Sequence, residues 1–455
     1  MTNSQFLNSG ATQAANIISK GKAISLSAAV SGKIFSQIKY LNISYSGELQ
    51  VALLTWLPSF VSLGLTPDMS GSMLDKIPEQ QVPYVFEKYD VPSSFLINFW
   101  ENLGVIVFVT VLWLLLKGLE RLISSQHKPQ IASIFTKSRV FTQNFLITAL
   151  YGVYGDLVMF SIIEYRTMVF GWNLSLLSFL ISVILLIAMF GSFLYQIKLL
   201  RSYQRIKDQE KTSSDPKLLE KFTKNNEGSQ VFWKDFKDYS LAPQFFLIFL
   251  SGRDLMFSLI LATMFKHPLA QTILIMILNC LMLAYLFIKK PFESNIDFGQ
   301  QLFFEFIGLI VNFGVFINAI LDTGKYEAFG VRKNIGKLII VCNMIFNFVT
   351  AGFMLFFVAQ VLVDFYKAQQ QKRAKKIETL KILQRNQKQT PPNEKINFDH
   401  NPTNQNNSEI ISFQQESFDL NLLPNQIQPV SQYKRPRKIL RNPRPRNPIR
   451  REIIN

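Results

Sequence analysis

Four charged side chains lie inside segments that are otherwise apolar and long enough to cross a bilayer. Arg253 and Asp254 are adjacent in one segment, Asp156 lies in an earlier segment and Glu305 in a later one. A charge near the middle of a membrane helix costs about 2.5–3.5 kcal/mol on insertion scales, so such residues usually face other protein and mark ion pathways or structural ion pairs. These four residues are therefore the first candidates for a functional site.

The adjacent charges of Arg253 and Asp254 cannot neutralise each other on a helix. Neighbouring helical positions point about 100° apart, whereas positions three and four residues away share a face. At those positions around Arg253 the sequence has only apolar residues, namely Phe249, Leu250, Met256 and Phe257. Arg253 therefore requires a carboxylate from another helix. Glu305 and Asp156 are the two candidates, and Glu305 is the first choice.

Polar side chains also recur at helical spacing on two later apolar segments. One stripe has spacings of four, three and four residues and consists of Gln301, Glu305, Gly308 and Asn312. The other lies on the last apolar segment and consists of Asn343, Asn347 and Thr350. A structural interpretation is hydrogen bonding between helices, worth about 0.6 kcal/mol per bond. A functional interpretation is a polar pathway or an ion site, and the sequence leaves both open.

No pattern typical of an enzyme accompanies these residues. The sequence has no phosphate-binding glycine loop, nucleophile elbow or zinc-protease motif. Its three histidines are far apart, and Cys280 and Cys342 lie within apolar segments. We therefore expect no catalytic site, no bound cofactor, no metal site and no enzymatic activity.

The composition indicates a membrane protein. Apolar types make up 48% of the 455 residues and charged types only 17%, against about 25% charged residues in typical soluble domains. Seven apolar windows have the length that a membrane-spanning helix needs. They are residues 96–116, 145–163, 174–195, 244–265, 269–288, 302–321 and 338–366. The predicted fold class is an all-α polytopic membrane protein, with a seven-helix transmembrane domain over residues 95–366.

The region before the first span, residues 1–94, is predicted to be extracytoplasmic or interfacial. Ile17, Ile24, Ala28, Phe35 and Ile38 recur at helical spacing and indicate a weakly amphipathic helix. Residues 51–64 are apolar but short and contain a proline, which favours a re-entrant or interfacial segment over a span.

The distribution of Lys and Arg predicts how the chain is threaded. Five basic residues occur in the loop at 117–139 and ten in the loop at 198–243, and basic loops normally face the cytosol. These loops and the C-terminus are therefore predicted to be cytosolic, with the N-terminus on the other side. The outer loop before the last span weakens this argument, because it contains the four basic residues Lys325, Arg332, Lys333 and Lys337.

The tail, residues 367–455, is basic and mostly low in complexity. From residue 366 onward there are 18 Lys and Arg against 7 Asp and Glu. The composition predicts disorder after a helix-prone start. The basic runs are either a solvated tail that helps to set orientation or a patch that binds anionic lipid headgroups or an acidic protein. Few aromatic residues accompany them, so nucleic acid is not an expected partner.

Three stretches resemble a known membrane module. They read "FSQIKYLNISYSGEL", "RDLMFSLILATMFKHPLAQ" and "YLFIKKPFESNIDFGQQLFFE". They resemble the C-terminal multi-span module of large ciliate surface proteins and, more distantly, the fungal TRP-like, polycystin-like family. The matching positions are Arg253, Pro268, Gln271, Pro291 and Glu305. The resemblance implies an integral membrane role of a channel or sensory kind. The cysteine-rich ectodomain of the ciliate proteins has no counterpart in this sequence.

Two functions are consistent with these features. The first is a TRP-like channel or sensor bundle, in the plasma membrane or an endomembrane, that conducts or responds to small ions or lipids. The second is a non-conducting anchor or scaffold that presents its loops and basic tail to partners. The expected partners are the lipid bilayer and further copies of the same chain in a homo-oligomer.

Overall fold

The computed structural model describes residues 23–56, 81–125, 129–168, 174–212 and 217–389. Residues 1–382 form one compact unit. Of the second unit, residues 383–455, only the end of one helix is described. The predicted disordered tail and most of the predicted re-entrant segment at 51–64 therefore lie outside the described residues.

The described part of the chain is helical, without a strand. Two short 3₁₀ turns, Ile38–Tyr40 and Glu227–Phe232, and one isolated bridge between Phe236 and Phe292 accompany the helices. The helices are α1 Ala23–Gln37, α2 Gly47–Thr55, α3 Tyr84–Glu87, α4 Phe95–Ser125, α5 Pro129–Thr167, α6 Leu174–Thr212, α7 Leu218–Asn225, α8 Leu241–Gln244, α9 Phe246–Thr263, α10 Pro268–Lys289, α11 Asn295–Thr323 and α12 Phe329–Gln389.

Seven of these helices, α4, α5, α6, α9, α10, α11 and α12, are long and apolar enough to cross a membrane. The predicted fold class, an all-α bundle of seven membrane-spanning helices, is confirmed. Several helices continue past the predicted apolar windows; α6, for example, reaches Thr212. The additional turns are rich in Lys, Arg, Glu and Gln, which are good helix formers that remain helical in water.

Local sequence signals explain where two of the helices begin and end. Pro268 opens α10 at a position where no backbone N–H is needed. The same helix ends at Lys289, and its C-cap Lys290 has a left-handed φ of 43° and precedes Pro291. Ser294 then caps α11, because its side chain accepts hydrogen bonds from the backbone N–H groups of Ile296 and Asp297.

Helix α5 lies at the centre of the bundle. Within its apolar window 72% of the residues are buried, compared with 17% in α4 and in α6. Helices α9 and α11 are intermediate, with 56% each. Helix α5 packs against α4 and α9, and α10 packs against α11. Outward-facing positions of α4 and α6 are large and apolar, as a lipid-facing surface requires.

Helix α1 is packed inside the bundle, against α5, α9 and α11. None of its side chains that the structure describes is exposed. Helix α1 is therefore a buried element of the bundle, and the extracytoplasmic or interfacial position of residues 1–94 stays a prediction. Its Ala, Ser and Gly residues allow close approach on every side, and a Cβ on Gly32 would lie 3.2 Å from the Phe346 ring of α12.

One end of the bundle is covered by the chain that follows α1. Asn42 donates a side-chain hydrogen bond of 3.2 Å to the carbonyl of Phe265, just after α9. The backbone N–H of Ser44 donates to Asp322 over 2.6 Å, and Arg332 donates to the other oxygen of Asp322 over 2.6 Å. We call residues 38–55 the N-terminal cap. Arg332 therefore has a local carboxylate partner, which offsets part of the basic charge of that loop.

At the other end, much of the predicted loop at 198–243 is folded. Helix α7, a 3₁₀ turn and α8 lie within it. The backbone N–H of Lys237 donates to the carbonyl of Pro291 over 2.8 Å, and Tyr239 donates its hydroxyl to the carbonyl of Lys289 over 2.9 Å. Aromatic contacts, including Tyr203 with Trp233 and Phe236 with Phe292, explain why this polar-looking stretch is ordered.

Candidate functional site

Five charged side chains of the bundle form two buried groups. The first consists of Lys33, Asp156 and Asp254, and we call it the lysine cluster. The second consists of Arg253 and Glu305, and we call it the arginine pair. Helices α1, α5 and α9 supply the lysine cluster, and α9 and α11 supply the arginine pair. Helix α9 contributes to both groups, because Arg253 and Asp254 point in different directions from adjacent positions.

In the lysine cluster one ammonium group lies between two carboxylates. The Nζ atom of Lys33 is 3.1 Å from Oδ2 of Asp156 and 3.6 Å from Oδ2 of Asp254. All three side chains are at most 4% exposed. Gln37, one turn after Lys33, donates a hydrogen bond of 3.4 Å to Oδ1 of Asp156.

Close packing of α5 against α9 brings Asp254 to this position. The backbone N–H of Gly155 donates to Oδ2 of Asp254 over 3.0 Å. A Cβ on Gly155 would lie 2.5 Å from Oδ2 of Asp254 and 2.7 Å from Oγ of Ser258, so only glycine fits there. The Oγ atom of Ser258 is fully buried, and the structure gives it no hydrogen-bond partner among the described residues.

The arginine pair confirms the predicted partner of Arg253. Its guanidinium donates to Oε2 of Glu305, and the Glu305 side chain is 1% exposed. Gln301, one turn earlier on α11, donates to Oε1 of Glu305 over 2.8 Å. Both carboxylate oxygens are therefore occupied. Asp156, the alternative partner, instead contacts Lys33.

The two groups differ in charge balance. The arginine pair has one positive and one negative group. The lysine cluster has one ammonium and two carboxylates, so one negative charge is left over when all three are ionised. An excess charge in a desolvated interior is costly, because little water is present to screen it.

The structure does not bring the predicted asparagines into these groups. Asn312 is buried on α11, with no hydrogen bond to either amide atom from the described residues. On α12, Asn347 is exposed and donates to Asn343 over 3.2 Å, so these two side chains contact each other along one helix. Thr350 is buried.

Sequence reasoning missed Lys33 and Gln37. Helix α1 has 15 residues, too few to be recognised as a span, and no acidic residue near Lys33 indicates a partner. The available signal is the run of small residues around Lys33, which is more typical of a packed helix than of an interfacial one.

Gln271, one of the positions matched by the resemblance, has a structural role. It is fully buried, and its amide donates to the carbonyls of Ile260 and Leu261 over 3.1 and 3.3 Å. It thereby adds side-chain donors to carbonyls in the last turn of α9; the Ile260 carbonyl also accepts from the backbone N–H of Met264, at the C-cap of α9, over 3.0 Å.

The N-terminal cap contains a further buried amine, outside the membrane-spanning helices. Burial lowers the pKa of Lys39 to about 8, because desolvation disfavours the charged form. Its Nζ is 3.4 Å from the carbonyl of Trp56 and 5.2 Å from the centroid of the Tyr40 ring. Burial also raises the pKa of Tyr45 well above its ordinary value.

Among the described residues, no three His, Cys, Asp or Glu side chains are grouped as metal ligands would be. No family model, curated protein or solved structure matches the chain. The resemblance to the ciliate and TRP-like proteins therefore stays a prediction, as does the absence of enzymatic activity.

Proposed function

We propose that the protein is a channel- or sensor-type membrane bundle that conducts or responds to small ions. The observation that carries this proposal is the concentration of five ionisable side chains, the lysine cluster and the arginine pair, in the interior of the bundle. Ionisable residues inside membrane helices are costly and commonly mark ion pathways, proton relays or gating charges.

The arrangement of the charges favours an ionic stimulus over a lipid. Lys33, Asp156 and Glu305 are each buried by protein and not turned toward the lipid-facing surface. A small ion can reach such groups through a narrow opening, whereas a lipid headgroup requires a wide one. An ion that enters changes the balance between Lys33 and its two carboxylates, and α1 is the element that carries Lys33.

Reconstitution of the full chain into liposomes tests the proposal. Flux of Na⁺, K⁺ and H⁺ is followed under an imposed voltage, together with currents in planar bilayers. We expect flux above that of empty liposomes, and a change of about tenfold or more in Glu305→Gln and Asp254→Asn, since tenfold requires only about 1.4 kcal/mol. The matched control is Glu101→Gln, which removes an exposed charge from α4 and should leave the flux as in the wild type.

A second candidate function is a non-conducting anchor or scaffold. It is favoured by α12, which continues to Gln389, far beyond its apolar window; most of its side chains at 367–382 are exposed, and many are basic. Such a helix can present a binding surface to anionic lipid headgroups or an acidic protein. Absence of flux from folded wild-type protein, with no effect of either core substitution, would favour the anchor over the channel or sensor.

A further inference from the structure

The lysine cluster lacks one positive charge. Lys33 is shared by Asp156 and Asp254, at 3.1 and 3.6 Å. The other cation near Asp254 in sequence, Arg253, is bound to Glu305. From the segment that follows α1, Tyr40 lies within electrostatic range of Asp156, but its hydroxyl is neutral. No further cationic group of the described chain forms an ion pair with either aspartate.

The groups around the two aspartates include a free hydroxyl. Gln37 and Gly155 donate to the carboxylates, and Lys33 contacts both. The Oγ atom of Ser258 packs against Gly155 beside Asp254 and has no described hydrogen-bond partner. A serine hydroxyl can accept a hydrogen bond from a protonated carboxyl group and can donate one to an ionised carboxylate, so Ser258 can serve Asp254 in either protonation state.

We propose that Asp156 and Asp254 form a proton-binding site that holds one exchangeable proton beside Lys33. With the proton bound, one carboxylate remains ionised and pairs with Lys33, the other is a neutral acid, and the cluster has no net charge. When the proton leaves, both carboxylates compete for one ammonium. This inference rests on the proposed function, because it identifies the small ion as a proton. Lys33 of α1 is the group whose ion pairing changes when the proton leaves.

A proton fits this site better than a metal ion. Oδ1 of Asp156 accepts from Gln37, Oδ2 of Asp254 accepts from Gly155, and the Lys33 ammonium already lies against Oδ2 of both residues. Alkali and alkaline-earth ions require about six oxygen ligands, and the described cluster offers no such shell. A proton needs one acceptor atom and adds no volume to a tightly packed contact between α5 and α9.

The proposal predicts how many protonated carboxyl groups the lysine cluster contains. Infrared difference spectroscopy of the full-length protein in lipid nanodiscs at neutral pH measures this number. The C=O stretching band of a neutral carboxylic acid reports protonated aspartates, and difference spectra remove the contribution of other acids such as Glu164. Asp156→Asn and Asp254→Asn should each remove one acid from the spectrum. In either variant the remaining carboxylate pairs one-to-one with Lys33 and has no reason to hold a proton.

Substitution of Lys33 should have the opposite effect. Lys33→Met leaves two buried carboxylates without a cation, so we expect the spectrum to gain one acid, whereas Lys33→Arg should match the wild type. If Lys33→Met does not fold, the two Asn variants alone decide the question. Glu164→Gln serves as a control, because Glu164 is a buried acid of α5 outside the lysine cluster, and this variant should leave the bands of Asp156 and Asp254 unchanged.

The outcomes separate this proposal from the proposed function. No loss of an acid band in Asp156→Asn or in Asp254→Asn would overturn the shared proton, even if liposome flux is observed. Loss of one acid in both variants supports it, even if the reconstituted protein conducts nothing and the channel proposal fails. A further arm replaces K⁺ by Na⁺ at constant pH, and the acid band should not change. Loss of the band on this exchange would show that Na⁺ displaces the proton, and would contradict a site that takes a proton in preference to a metal ion.

Discussion

The assembly of this bundle depends on individual side chains, because its buried charged residues are not solvated and need partners within the protein. Arg253 is the clearest case. Its neighbours at helical spacing are apolar, so a partner on another helix could be predicted from the sequence, and Glu305 is that partner. The partner of Asp156 could not be predicted in this way. Lys33 lies in a short helix far away in sequence, and only the fold brings the two together.

The arginine pair gives a prediction at this scale. Glu305→Gln leaves the Arg253 charge buried without a counter-charge, which should lower the free energy of unfolding by about 3–5 kcal/mol. The double variant Arg253→Leu/Glu305→Gln should be more stable than Glu305→Gln alone, because it removes the unpaired charge of Arg253. The side-chain carbonyl at position 305 can still accept the hydrogen bond from Gln301. Reversible detergent unfolding of the purified protein measures both values.

Glu101→Gln is the control for this cycle, because Glu101 is exposed on α4 and forms no described ion pair. Its unfolding free energy should match that of the wild type within about 0.5 kcal/mol. If the double variant were as unstable as the sum of the two single substitutions, the two side chains would not act as a pair, and the assignment would be wrong.

The bounds of a helix can be predicted from the sequence where they depend on residues within or next to that helix. The apolar windows, Pro268 and Ser294 mark helices and their ends, and these features are readable from the sequence. Two elements are not readable in this way. Helix α1 resembles an interfacial segment until its burial is seen, and the stretch at 198–243 resembles a solvated loop until its aromatic contacts are seen. In both, tertiary packing overrides the local pattern.

The contact between α5 and α9 gives a prediction at the scale of the element. Gly155→Ala places a methyl group 2.5 Å from Oδ2 of Asp254 and 2.7 Å from Oγ of Ser258, so α9 must move away from α5. Overpacking of this kind typically costs about 1–3 kcal/mol. We expect a lower unfolding free energy. The acid band should shift in frequency but not disappear, because the Asp254 carboxyl moves away from Lys33 and yet remains in the chain.

Gly252→Ala is the matched control, because Gly252 lies on α9 and a Cβ there meets nothing within 4 Å. Replacing glycine by alanine in an open helical position stabilises by about 0.5–1 kcal/mol. Equal effects of the two substitutions would mean that a methyl group at position 155 meets no obstacle, and would contradict the close contact between α5 and α9.

For the molecule as a whole, the number of spanning helices and the fold class could be predicted from composition and window length. The membrane in which the protein resides and the cytosolic position of its C-terminus stay predictions from the distribution of Lys and Arg. What the sequence did not indicate is that the N-terminal segment is built into the bundle. That arrangement depends on contacts between residues nearly 300 positions apart, such as Arg332 with the carbonyl of Ser44.

Helix α1 and the N-terminal cap are integral parts of the bundle, and disulfide trapping in native membranes can test this arrangement. A Cβ on Gly336 of α12 would lie 3.3 Å from Cβ of Ser46, close to the range of about 3.5–4.5 Å that a disulfide spans. The pair Ser46→Cys/Gly336→Cys is made in a chain that also carries Cys280→Ser and Cys342→Ala, and is oxidised in native membranes.

We predict that this pair cross-links rapidly and nearly completely, whereas Ser46→Cys/Gly352→Cys, with its second cysteine at an open position more than four turns further along α12, does not. If the two cysteines each react with a thiol reagent but form no cross-link on oxidation, the packing of the N-terminal cap against α12 would be contradicted. This result would mean that the N-terminal segment does not lie against the bundle, and that Lys33 is not held beside Asp156 and Asp254.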